Sequence, residues 1–295
     1  MSKKPLNLPP AAGVAAGVAI GAVAVGAAAF AVGSSCLQLV HTRAGIARVK
    51  GIRGEHGEKI RVLQQGGVYQ SATYVGERRF EPVFAYYRAF DAMFEVEPAL
   101  CAASGHGVER VLMLGGGGYA YPKHALTQHA GLVMDVVEID PAVTRLARRW
   151  FFLDELERLA GERLRSITAD ARGYLTRAVA EGLRYDAIVN DCFSGSEPVR
   201  SLATVEALCQ AKVCLRPGGL YLANVVSAGG GENIDFLRDA AATAAMVFAH
   251  VHVVPCEDAE FGGEDNYLLI ATDGDYGFEG ELPLPREFYG AVLTD

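Results

Sequence analysis

From residue 105 onward the chain alternates short apolar runs with longer amphipathic stretches. The first run, Val111-Leu112-Met113-Leu114, has no polar position and reads as a strand buried on both faces. Further strands are predicted at 133–139, 164–170, 185–191, 220–226, 250–255 and 267–272. Helical periodicity between them predicts helices at 122–129, 142–159, 171–181, 204–214 and 233–248. Strands alternating with helices predict a parallel, doubly wound α/β sheet of seven strands. Phe261-Gly262-Gly263 between the last two strands predicts a hairpin, and so one antiparallel strand at or near the sheet edge.

The stretch before residue 105 has a different period. Residues 37–74 alternate apolar and polar positions, with turn signals at Gly54-Glu55-His56-Gly57 and Gln65-Gly66-Gly67. Two or three antiparallel strands are predicted there, as a small sheet able to cover a pocket in the next domain. Residues 80–94 are rich in aromatics at helical spacing, which predicts a core-facing helix in preference to a ligand contact. Residues 5–42 contain no Lys, Arg, Asp or Glu, and 11–40 are almost wholly Ala, Gly and Val. That length spans a bilayer as a helix, with Gly13, Gly17 and Gly21 on one close-packing face. A cleaved export signal and a low-complexity tail fit the same composition. Arg43, Arg48, Lys50 and Arg53 outnumber Lys3 and Lys4, so an anchored chain would hold its bulk in the cytoplasm, with a soluble cytoplasmic protein as the alternative. The chain therefore divides into an apolar segment (1–41), a β-rich lead-in (42–104), a nucleoside-binding catalytic domain (105–275) and an acidic tail (276–295).

Composition narrows the function. A net charge of -8 over 295 residues gives no basic footprint for nucleic acid. The six cysteines include no CxxC pair, and His106, His124 and His129 lack metal-ligand spacing on one face, so no metal is expected.

The chemistry lies at the carboxyl ends of the predicted strands. Gly115 to Gly118 follow the first strand, allowing a sharp turn and a close backbone approach to a ligand. Glu138 ends the next strand, where a carboxylate accepts hydrogen bonds from both ribose hydroxyls. Asp170 and Asp191 end the third and fourth. One strand-end acid is ordinarily a helix N-cap; three in register beside a glycine turn point to a nucleotide-type ligand. Gly115-x-Gly117-x-x-Ala120 also satisfies a dinucleotide pattern, although nothing else in the chain resembles a hydride-transfer site.

Together Gly67-Val68-Tyr69-Gln70, Leu114-Gly115-Gly116-Gly117, Val137-Glu138-Ile139-Asp140, Ala169-Asp170-Ala171, Tyr185-Asp186-Ala187-Ile188 with Asp191, and Leu215-Arg216-Pro217-Gly218-Gly219 resemble the S-adenosylmethionine methyltransferase fold. Within it they resemble the spermidine synthase (aminopropyltransferase) family, over roughly residues 66–272. Residues 190–195 are most similar to the branch associated with membrane helices. The resemblance implies a Rossmann-like domain of the class I methyltransferase type, working as a homodimer on a small amine. Its co-substrate would be decarboxylated S-adenosylmethionine, or S-adenosylmethionine itself in a methyltransferase. It implies that Gly115, Gly116 and Gly117 approach the sulfonium nucleoside, Glu138 binds its ribose and Asp170 its adenine. Gln70 would line the aminopropyl side and Asp191 would receive the proton of the attacking amine. Two family aspartates are missing: Gly118 and Ser194 stand in their places, and Glu197 is the candidate substitute. Tyr119 and Tyr121, just after the glycines, are candidates to shape the acceptor pocket. A methyltransferase of unknown acceptor and a non-catalytic nucleoside-binding module are the competing readings.

Overall fold

The computed structural model describes residues 35–194, 197–227, 234–256 and 265–295. Its N-terminal part is an antiparallel sheet of four strands, β1 (Ser35–Thr42), β2 (Gly45–Arg53), β3 (Lys59–Gln65) and β4 (Val68–Tyr74), in sequential order. The β3–β4 hairpin turns on Gly66 and Gly67, both at positive φ (60° and 92°), the pair of conformations a two-residue primed turn demands.

The 80–94 segment does not form the single helix its aromatic spacing predicts. After a 3-10 turn at Glu77–Phe80 and Pro82, it makes two one-turn helices, α1 (Tyr86–Ala89) and α2 (Ala92–Glu95). The chain continues through α3 (Glu97–Ser104). The aromatic rings pack on one another, with Tyr86 and Tyr87 centroids 4.2 Å apart and Phe90 5.1 Å from Tyr121.

The α/β part then runs β5 (Arg110–Leu114), α4 (Ala120–Gln128), β6 (Val133–Glu138), α5 (Pro141–Trp150), α6 (Leu153–Ala160), β7 (Leu164–Thr168), α7 (Ala171–Ala180) and β8 (Tyr185–Asn190). A small bridge, β9 (Phe193–Ser194) with β10 (Glu197–Pro198), precedes α8 (Val205–Cys214), β11 (Leu215–Ser227), α9 (Asp235–Val247), β12 (His250–Cys256) and β13 (Asp265–Thr272). The helix predicted over 142–159 is two helices, because Phe152 adopts a left-handed conformation (φ 62°) and breaks the hydrogen-bond ladder.

Seven strands align in the order β12-β13-β11-β8-β5-β6-β7. β13 is antiparallel to both its neighbours and the other pairings are parallel. Strand order reverses at β5, whose neighbours are β6 and β8, so a crevice opens beyond the carboxyl ends of those strands. Buried apolar cores cover both faces of the sheet. A third cluster packs Ala47, Val49 and Leu63 of the small sheet on Val143, Leu146 and Phe151, which places that sheet beside the crevice.

The membrane-anchored reading is corrected here. Among the described residues no helix is long and apolar enough to cross a membrane. Residues 35–40, counted in the apolar stretch, belong to strand β1, which pairs with β2 from Ser35 on. The apolar helix and the rest of the 1–41 segment fall on residues 1–34, outside the described residues, as does the Phe261-Gly262-Gly263 turn.

Candidate active site

Strand β5 delivers the glycine turn at the point where the strand order reverses. Gly115 leaves the strand at φ 95° and donates its N–H to the Val137 carbonyl at 2.9 Å. On the other side Asp191 donates its N–H to the Leu114 carbonyl at 2.8 Å, so the backbones after β5 and β8 run side by side. A Cβ on Gly115 would lie 2.8 Å from the Asp191 carbonyl carbon and closer still to its oxygen, which excludes any side chain. Gly117 (φ 49°) faces space: a Cβ there would meet nothing nearer than the Gln70 carbonyl oxygen at 3.8 Å.

The turn is held from below by Glu138. Its Oε2 accepts from the N–H groups of Gly116 (3.2 Å) and Gly117 (2.9 Å), and its Oε1 from that of Asp140 (2.9 Å). Asp140 caps α5, accepting from the Ala142 N–H at 2.7 Å, while its other oxygen takes the Arg43 N–H from the small sheet at 2.5 Å. Asp170 caps α7 through the Gly173 N–H at 2.7 Å. Of the three strand-end acids Asp170 thus serves as an N-cap, as does the neighbouring Asp140, and both also line the cavity.

That cavity, of about 230 Å³, is bounded by Gly115, Gly116, Gly117, Glu138, Asp170 and Asp191 from the sheet and by Gln70 from β4. The sequence-identified residues therefore converge, with two exceptions. Tyr119 is fully buried and absent from the lining: it caps α4 in a left-handed conformation (φ 55°), and its ring lies under the turn, 3.0 Å from where a Gly116 Cβ would stand. The expectation that it shapes the pocket is corrected, because that conformation carries its ring into the core. Tyr121 is buried too, its hydroxyl on Asp91 at 3.2 Å. The side chains of Ser194 and Glu197 lie outside the described residues.

Asp191 follows β8 directly and lines the cavity. Its surroundings are poor in polar groups, and burial pushes its carboxyl up to about 6, against the downward pull of Asn224. The Asn224 side chain donates to Asp191 Oδ1 at 3.0 Å. Asn224 is 7% exposed, lines the same cavity, and among the described residues its own Oδ1 has no partner. The sequence reading missed it, although a polar residue inside the apolar run Leu220–Val226 was a readable signal. It also missed the aromatic wall: Tyr69, Phe84, Tyr86 and Tyr87 all line the cavity, where 80–94 had been read as core. Burial, and next the Asp191 charge, raise the Tyr87 phenol, which puts this wall close to the acid.

Gly118 has a steric cause. A Cβ there would lie 2.5 Å from Ser71 Oγ, 2.9 Å from Ser71 Cβ and 3.1 Å from the Phe151 ring. An aspartate at that position has no room. Among the described residues no group of three or more His, Cys, Asp or Glu is arranged to hold a metal.

Comparison with known proteins agrees with this geometry. A polyamine aminopropyltransferase of Vibrio vulnificus is 36% identical over 119 residues, 40% of this chain and 38% of that protein, so the chain spans well under half the length of this relative. A probable spermidine synthase from Corynebacterium glutamicum shares the fold, with a TM-score of 0.63, 22% identity and 81% of each chain covered. Human Methyltransferase-like protein 13, solved in complex with SAH, shares it with a TM-score of 0.53 and 22% identity, over 69% of this chain and 87% of that one. The two solved structures carry the fold, and none of these likenesses extends to a membrane-associated branch. Residues 98–251, just over half of the chain, match the Spermine/spermidine synthase domain family, and the chain belongs to that family.

Proposed function

We propose that the chain transfers an aminopropyl group from decarboxylated S-adenosylmethionine to an amine. The observation that carries this reading is the placement of Asp191, an acid of raised pKa, against the glycine turn of a spermine/spermidine synthase domain.

The reaction is a displacement at the aminopropyl carbon bonded to S⁺. The amine lone pair forms the new C–N bond as the C–S bond breaks. The electron pair of that bond neutralises the sulfonium and leaves methylthioadenosine. The nitrogen then carries an extra proton, which Asp191 accepts; with a carboxyl near 6 it is ionised at neutral pH yet basic enough to share that proton. Holding the two reactants in line supplies much of the rate.

The residues present fit the nucleoside. Gly117 leaves an open face for close approach. Glu138 spends three acceptor positions on backbone N–H groups, and a carboxylate has about four, so it retains capacity for a ribose hydroxyl. Asp170 uses Oδ1 as a cap, which leaves Oδ2 for the adenine amino group. Gln70 lines the side facing the aminopropyl chain.

A methyl transfer from S-adenosylmethionine is the second reading, favoured by the shared fold of the SAH-bound human protein. Mass spectrometry of the nucleoside product separates the two. Methylthioadenosine from the decarboxylated donor supports aminopropyl transfer; S-adenosylhomocysteine from the carboxylated donor would replace it.

A further inference from the structure

The acidic tail runs from β12 across α9 to the rim of the cavity. Leu282 donates its N–H to the Val253 carbonyl of β12 at 2.8 Å, and Leu284, Phe288 and Tyr289 pack on the buried core that includes α8 and α9. On α9, Arg238 donates to the Phe288 carbonyl at 2.8 Å and Asp239 accepts the Ala291 N–H at 2.7 Å. Leu293 then donates to Thr243 Oγ1 at 2.9 Å and accepts from the Val205 N–H, at the start of α8, at 2.9 Å.

These fastenings deliver Asp295 to the first turns of α7 and α8. Its Oδ1 accepts from Thr204, the N-cap of α8, at 2.7 Å, and its N–H donates to Glu206 at 3.1 Å. Its Oδ2 pairs with Arg172 Nη2 at 2.6 Å. A carboxylate suits this place, because the amino ends of helices favour negative charge. Arg172 is the opposite case. It is the second residue of α7, where the helix dipole disfavours a cation, and it lines the cavity together with Asp170, the N-cap of the same helix. A guanidinium there has two carboxylates within its reach, one on the tail and one on the cavity wall, and its fork pairs well with either. In the structure Asp295 holds it.

We propose that Asp295 is a positioning residue for the nucleoside: by holding Arg172 at the rim, it keeps the Asp170 carboxylate open to the adenine amino group. The assignment rests on the nucleoside reading of the cavity, in which Asp170 takes that amino group. Without the Asp295 charge, Arg172 turns to Asp170 and occupies the acceptor. The adenine amino group then meets a guanidinium, which has donors and no acceptor.

The test is a double-mutant cycle on the full chain, read by calorimetric titration with methylthioadenosine. Asp295→Asn removes the charge and keeps an oxygen for Thr204. Its Kd should rise about three- to fivefold, the scale of a partly exposed ion pair, the two side chains being 22% and 47% exposed. In turnover the loss should fall on KM for decarboxylated S-adenosylmethionine, with kcat little changed. Asp295→Asn combined with Arg172→Met should restore the Kd to within about twofold of the unaltered chain, because the competing cation is gone.

A double variant that binds as weakly as Asp295→Asn alone would show that Asp295 only fastens the tail, and overturns the assignment. So does an Asp295→Asn chain with an unaltered Kd; in either case the nucleoside reading survives, since the unaltered chain still binds. An unaltered chain that does not bind methylthioadenosine sinks the nucleoside reading and this assignment with it.

Discussion

Gly115 and Asp191 are locked backbone to backbone: a Cβ on the glycine would stand 2.8 Å from the carbonyl carbon of the acid. The glycine turn and the segment that carries the Asp191 carboxylate therefore cannot move independently. Neither atom set has a flexible end with which to yield, since both are main chain.

Gly115→Ala should for this reason displace Asp191 as well as strain the turn, whose φ of 95° disfavours any side chain. We expect kcat/KM to fall by about 100-fold or more, the scale of an ångström-size misplacement in a site. Steady-state kinetics, with circular dichroism to verify folding, checks this.

The rate should depend on pH through Asp191. With its carboxyl pushed up to about 6, activity rises as pH passes through that value, because the ionised form is the base. The amide of Asn224 lowers this pKa by donating to the carboxylate. Asn224→Leu should shift the acid limb of the kcat/KM profile to higher pH. A variant with an unmoved limb and a uniform loss of rate would show that Asn224 only packs.

Asp191 also costs stability. Its folded value lies above the ordinary 3.8, so the ionised form is disfavoured in the folded state; the penalty is absent below about 4 and complete above about 6. Asp191→Asn should therefore raise the melting temperature by a few degrees at pH 8, from about 1–3 kcal/mol, with no gain at pH 4.

Much of the fold was legible because β5, β6, β8 and β11 are covered on both faces and so are mostly apolar, as in the unbroken run Val111–Leu114. The strand-end acids were legible by position, since each closes such a run. Other features depend on contacts across the chain that no local pattern records. Ser71 meeting Gly118 joins residues on β4 and after β5, and Asn224 reaching Asp191 joins β11 to β8. Tyr119 was misplaced because adjacency to the glycines says nothing of the left-handed turn that buries it. β1 (Ser35–Thr42) was claimed by two readings, since it ends the uncharged 5–42 stretch and begins the alternation seen from residue 37; pairing with β2 decides the matter from Ser35 on.

Lys123 stands out only once the chain is folded. It is 1% exposed, bonded to Thr73 Oγ1 at 2.7 Å, and burial lowers its ammonium to about 7. Because the folded value lies below the ordinary 10.5, protonation opposes folding; the penalty is complete below about 7 and vanishes above 10.5. Lys123→Met should stabilise the chain by about 2–4 kcal/mol at pH 6, with the gain disappearing toward pH 10.5. Chemical denaturation at the two pH values measures it.

Aminopropyl transfer with Asp191 as the proposed base is followed with decarboxylated S-adenosylmethionine labelled with ¹³C in the aminopropyl carbons, a panel of mono-, di- and polyamines as acceptors, and mass spectrometry of the products. The label should appear on an amine together with unlabelled methylthioadenosine, and Asp191→Asn should reduce this by about 100-fold or more at pH 8. Label that stays on the nucleoside in the presence of every amine tested, or an Asp191→Asn chain that transfers it at the unaltered rate, would contradict aminopropyl transfer with Asp191 as the base.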